Sequence, residues 1–96
     1  MKIGIPLKND MISKIYDATQ FGVVDLEEGQ IKNIEYFTSL DDLMGKIEFF
    51  VTNNSNEEID EMYDYSIEVL KTPVEEMSVD EIIEAFLFRE LYDYNL

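Results

Sequence analysis

The sequence predicts an α/β fold: a mixed, roughly five-stranded sheet with helices packed on it, in the order β-β-β-α-β-α-β-α. Three observations predict it. Residues 46–91 read as an apolar strand, a polar turn, a capped helix, a short strand and an amphipathic helix. Residues 20–37 read as a hairpin, and residues 2–7 alternate apolar with other side chains. A strand-helix-strand-helix succession requires parallel pairing with a right-handed crossover, whereas the first three strands form a meander. Ninety-six residues without an internal repeat, low-complexity tract or linker are expected to form a single domain, 1–96. Folding a chain of this length buries roughly 65% of its unfolded surface, enough for stability without disulfides or a structural metal.

In the first strand, Ile3, Ile5 and Leu7 recur with the period of a half-buried strand. Pro6 is expected to end it, because proline donates no hydrogen bond to a central ladder. Residues 8–19 are polar and irregular and read as a loop with at most one helical turn, anchored by Ile12 and Ile15. The second strand runs over 20–26 and the third over 30–37, joined by a turn in which Gly29 takes the position that needs a positive φ. Ile31, Ile34, Tyr36 and Phe37 do not alternate cleanly, which predicts a bulge or a change of face near Asn33.

From Ser39 the pattern predicts a short helix, with Ser39 as cap, Asp42 reaching back to it and Gly45 as the stop. The run Ile47, Phe49, Phe50, Val51, broken by Glu48, predicts a central strand covered on both faces. Ser55 and Glu58 have the spacing of a capping box for a helix reaching about Tyr65, with Ile59, Met62 and Tyr63 on one face. Ile67 and Val69 mark a short strand closed by Pro73. Ser78 and Glu81 repeat the capping signature before the stripe Val79, Ile82, Ile83, Phe86, Leu87, Leu91, and residues 92–96 are expected to fray.

Charge and missing residue types narrow the function. Twenty-two Asp and Glu against seven Lys and Arg give a net charge of −15, a field that repels nucleic acid and anionic membranes. Its simplest role is a solvated surface; a basic protein partner or divalent cations are the alternatives. The chain has no Cys, His or Trp. It therefore cannot supply disulfides, thiolate nucleophiles, Ser-His-Asp triads, the usual zinc sites or Cys-ligated iron–sulfur clusters from its own side chains. No signal-peptide pattern and no stretch of 18 apolar residues are present, so a cytoplasmic location is the expectation.

Several stretches together resemble the small domains of dinitrogenase iron–molybdenum cofactor biosynthesis proteins. The opening Met1-Lys-Ile-Gly-Ile-Pro6 is similar to that family's first strand, and Phe21-Gly-Val-Val-Asp-Leu-Glu-Glu-Gly-Gln-Ile31 to its second strand and hairpin. Ile47-Glu-Phe-Phe-Val51, Tyr65-Ser-Ile-Glu-Val-Leu70 and Ser78-Val-Asp-Glu-Ile-Ile-Glu-Ala-Phe-Leu87 follow its order and lengths. The resemblance spans nearly the whole chain and implies a ribonuclease H-like fold and a non-enzymatic accessory or carrier role. It also implies an iron–sulfur or iron–molybdenum cofactor precursor as ligand, with no Cys or His here to hold one. Two features depart from the family pattern. The His-Phe-Gly loop between the first strands is replaced by Ser13-Lys-Ile-Tyr-Asp17, and the Gly-rich turn after the central strand by Asn53-Asn54-Ser55-Asn56.

Both departures fall beyond strand ends, where open α/β sheets bind ligands. Asn53, Asn54, Ser55 and Asn56, with Ser13 and Tyr16 opposite, are therefore the ligand-binding candidates; the competing role for the turn is simply to cap a helix. A two-cation hydrolytic site would need carboxylates gathered on strands. Asp25 and Glu48 sit on predicted strands, but Asp41, Asp42 and Asp60 share no obvious face with them, so no catalytic residue is assigned. Phe88, Tyr92 and Tyr94 either pack internally or serve self-association or a protein partner. The two functional readings are a cofactor-biosynthesis-like accessory or carrier domain and an acidic protein-interaction module that kept the fold and lost the ligand site.

Overall fold

The structure is a computed structural model and describes residues 1–53 and 56–95. Seven strands form one sheet: β1 (Lys2–Lys8), β2 (Met11–Ile12), β3 (Gln20–Glu27), β4 (Gln30–Phe37), β5 (Phe49–Thr52), β6 (Glu68–Lys71) and β7 (Tyr92–Asp93). Their order is β4-β3-β1-β5-β6-β7, with β2 paired to β1. β1, β5 and β6 run parallel and β3 and β4 antiparallel to their neighbours, so the predicted meander and parallel pair are both present. The helices are α1 (Asp60–Asp64) and α2 (Val79–Leu87), with 3-10 turns at Ile15–Asp17 and Leu40–Leu43.

Side-chain alternation in β1 separates two cores, one on each face of the sheet. Ile3, Ile5 and Leu7 point to the face covered by α2, where they pack with Val24, Val51, Ile82 and Ile83. The opposite face gathers Val23, Leu43, Ile47, Phe50, Met62 and Val69 under α1 and the 3-10 turn at Leu40–Leu43. Gly4 lies on this second face, in register with Val23 on one side and Phe50 on the other. A Cβ there would stand 2.8 Å from Ile47 Cδ1 and 2.9 Å from Leu43 Cδ2, so these buried side chains sit directly on the strand backbone.

Pro6 does not end β1; it is buried within it, opposite Phe21. The β1–β5 ladder covers Ile3 and Gly4. Beyond it the Pro6 carbonyl accepts from the Ser13 N–H at 3.0 Å, so its nitrogen faces a flank where β5 no longer runs and no donor is required. Residues 8–19 contain more structure than a loop. Asn9 and Asp10, at φ +53° and +64°, make a two-residue turn between the paired Lys8 and Met11. The hairpin at Glu28-Gly29 has the predicted positive φ at Gly29, and the bulge falls where β4 residues Ile31 and Asn33 pair with Leu26 and Asp25, leaving Lys32 extra.

Three helical expectations change. Residues 40–43 form a single 3-10 turn in which Ser39 Oγ accepts from the Asp41 N–H at 3.3 Å, one residue short of the expected partner. α1 starts at Asp60 with Ile59 as its cap and no side-chain capping bond, so Glu58 precedes the helix; Ser55 lies outside the described residues. The expected fraying of 92–96 does not hold for 92–95, because β7 pairs antiparallel with β6. The α2 capping box does form: Ser78 Oγ accepts from Glu81 N–H at 3.3 Å and Glu81 Oε1 from Ser78 N–H at 3.0 Å. Donation from the Ser78 backbone N–H foremost, and then from the Ser78 side chain, holds the Glu81 carboxyl below its ordinary range.

Gly4→Ala should lower stability by about 1–2 kcal/mol, overpacking outweighing the smaller entropy of the unfolded chain. A urea midpoint equal to or above that of the parent chain would contradict this packing.

Candidate functional site

The candidate corner lies where the chain leaves β5 and where the 13–17 segment crosses beside it. That segment divides the surface into two depressions. One, of about 660 Å³, is lined by Lys14, Ile15, Tyr16, Leu40, Asn56, Glu57 and Glu58. The other, of about 340 Å³, is lined by Lys8, Ile12, Ser13, Lys14, Asp17, Asn53, Glu75 and Glu76.

The predicted residues therefore part company. Tyr16 and Asn56 meet in the larger depression, with Tyr16 78% exposed. Ser13 and Asn53 line the smaller one. Ser13 is buried and its hydroxyl donates to the Lys14 carbonyl at 2.9 Å. Asn53 Nδ2 donates to the Glu75 carbonyl at 2.8 Å, while its Oδ1 is buried without a hydrogen-bond partner among the described residues. Asn54 and Ser55 lie outside the described residues.

What holds this corner is Glu57, which sequence reasoning did not single out. Its Oε2 accepts from the Ile15 N–H at 2.7 Å, at the start of the 3-10 turn of the 13–17 segment. Its own backbone is held on the other side by Tyr94, whose hydroxyl accepts from Glu57 N–H at 2.8 Å and donates to Glu57 C=O at 3.0 Å. Tyr94 in turn donates its backbone N–H to the Val69 carbonyl at 3.2 Å, and Asn95 Nδ2 donates to the Tyr63 hydroxyl at 3.0 Å. The C-terminal segment is thus tied through Glu57 to the loop that follows β2. Partners 42 and 37 residues apart leave no local pattern from which this could be read.

The donors at this corner are hydroxyl, amide, carboxylate and ammonium groups. Iron–sulfur clusters are held by thiolate, with imidazole replacing it in some centres, and this chain contains neither Cys nor His. The residues do not fit a cluster ligated by the chain itself. The strand carboxylates are engaged separately: Asp25 lies 3.9 Å from the N-terminal ammonium, and Glu48 accepts from the Lys2 N–H. Among the described residues, no three Asp or Glu side chains come together in a way that could hold a metal ion. No helix among them is long and apolar enough to cross a membrane.

No protein-family model matches the chain, and no curated protein matches it in sequence. Solved structures do. The crystal structure of PH0822 aligns with a TM-score of 0.75 at 21% identity, covering 98% of this chain and 99% of that one. A "putative dinitrogenase", MJ0327 from Methanocaldococcus jannaschii, is similar in its NMR structure, with TM-score 0.78, 22% identity and coverage of 97% and 92%. Its crystal structure gives TM-score 0.77, 23% identity and coverage of 95% and 91%. This chain has their fold. The architecture implied by the sequence resemblance is therefore present, and at these identities the likeness concerns the fold alone.

Tyr94→Phe removes both bonds to the Glu57 backbone and should cost about 1–2 kcal/mol. Amide exchange at Glu57 and Ile15 should accelerate relative to the β1 and β3 amides; unchanged protection at both would refute the link.

Proposed function

We propose that this chain is a non-enzymatic accessory domain of the iron–molybdenum cofactor biosynthesis type, acting through protein contacts and not by ligating a cluster with its own side chains. The observation that carries the reading is the donor set of the corner. The positions where the family resemblance implies a ligand loop hold Ser13, Lys14, Tyr16 and Asp17, and across from them stand Asn56, Glu57 and Glu58. Hard oxygen donors and an ammonium suit polar or protein contacts better than a sulfide cluster.

The shared fold with a structure called a "putative dinitrogenase" supports a place near cofactor assembly. A second reading, an acidic interaction module outside that process, is favoured by the net charge of −15. Both readings assign the work to contacts with another protein, and they differ in which protein that is.

Anaerobic incubation with an iron–sulfur cluster donor, followed by gel filtration, tests the shared element. The chain should elute without bound iron and without visible absorption. Co-elution of stoichiometric iron with a cluster absorption band would overturn the reading.

A further inference from the structure

The face of the sheet under α2 is only partly covered. A nine-residue helix is about 13 Å long and about 10 Å across, whereas six neighbouring strands span roughly 24 Å. On the β6–β7 side of α2 this leaves an open groove of about 390 Å³. Its apolar lining comes from Phe49, Leu70, Phe86, Leu87 and Leu91. The Phe49 and Phe86 rings meet edge to face there, with centroids 5.0 Å apart at 76°, so the groove has a packed aromatic floor. Leu87 is 43% exposed at its lip.

Charge at the rim indicates what fits. Glu68 lines the groove and pairs with Phe49 across the β5–β6 ladder. Asp93 is the cross-strand partner of Leu70, which sets its side chain on the same face of the sheet. Arg89 brings one positive charge to the groove against the two carboxylates of Glu68 and Asp93, while Glu90 lines a separate depression with Met77 and Glu81. A second copy of this chain is a poor occupant, because each molecule carries −15 and this rim is itself acidic on balance.

We propose that this groove is the docking site for a cationic protein partner, which inserts an apolar side chain between α2 and β6 and sets flanking Lys or Arg against Glu68 and Asp93. The inference rests on the protein-contact reading above and adds where the contact is made and with what chemistry. It uses a region remote from β4, so the two edges of the sheet serve as site and internal control.

The test is titration of the isotope-labelled chain with two synthetic peptides of equal positive charge, one carrying Leu and the other Ser at its apolar positions. The Leu peptide should shift the amide signals of residues 68–70 and 86–91 saturably, and more weakly as salt is raised. Leu87→Lys, a change at an exposed position outside the core, should weaken it roughly tenfold or more. Glu68→Lys should weaken binding severalfold more than Glu35→Lys, which makes the same charge change on β4. Equal binding of the Ser peptide, equal effects of the two charge reversals, shifts centred elsewhere, or self-association through this groove would each overturn the proposal. Cluster uptake in the reconstitution overturns the accessory reading and is scored independently of this titration.

Discussion

The fold depends on the close approach of side chains to β1 at Gly4. β1 pairs antiparallel with β3 and parallel with β5, and Gly4 stands in register with both Val23 and Phe50. Because Gly4 has no Cβ, Leu43, Ile47 and Phe50 press against the strand backbone. The 3-10 turn and the entry to β5 are thereby anchored over the middle of the sheet. The other face is built from the alternating Ile3, Ile5 and Leu7, onto which α2 packs. One strand thus sets both cores, through an absent side chain on one face and branched side chains on the other.

That arrangement fixes where unfilled surface remains. Helical cover is short on both faces, five residues in α1 and nine in α2. On the α1 face, the 13–17 segment and the tail close over the corner, with Glu57 receiving Ile15 on one side and Tyr94 on the other. On the α2 face the Phe49–Phe86 contact floors an open groove, which Leu70 of β6 and Arg89 and Leu91 of the connection to β7 also line. The polar corner and the apolar groove are therefore different kinds of surface, one held by hydrogen bonds within the chain and the other leaving apolar side chains open.

Much of this was legible in the sequence where the signal is local. The Ser78/Glu81 capping box, the positive φ at Gly29 and the bulge beside Asn33 each depend on residues within a few positions of one another. The Asn9-Asp10 turn carried such a signal too, hidden because β2 is only two residues long. Ser55 and Glu58 had capping-box spacing, yet α1 begins at Asp60, showing that the pattern alone does not set a helix start when tertiary packing of Ile59 and Met62 decides it. Pro6 misled because its cost depends on which flank its nitrogen faces, a property of the ladder and not of the strand. The corner was located through strand-end logic, but its organiser was not, since Glu57 works through partners that only the fold brings near.

The proposed role, work through protein contacts with no cluster on the chain's own side chains, is open to a direct test. The most direct measurement is metal analysis of the chain recovered anaerobically from its own cells, before and after separation from the proteins that accompany it. Any iron or molybdenum should leave with the partner, and the isolated chain should retain none. Stoichiometric metal remaining on the separated chain would contradict it.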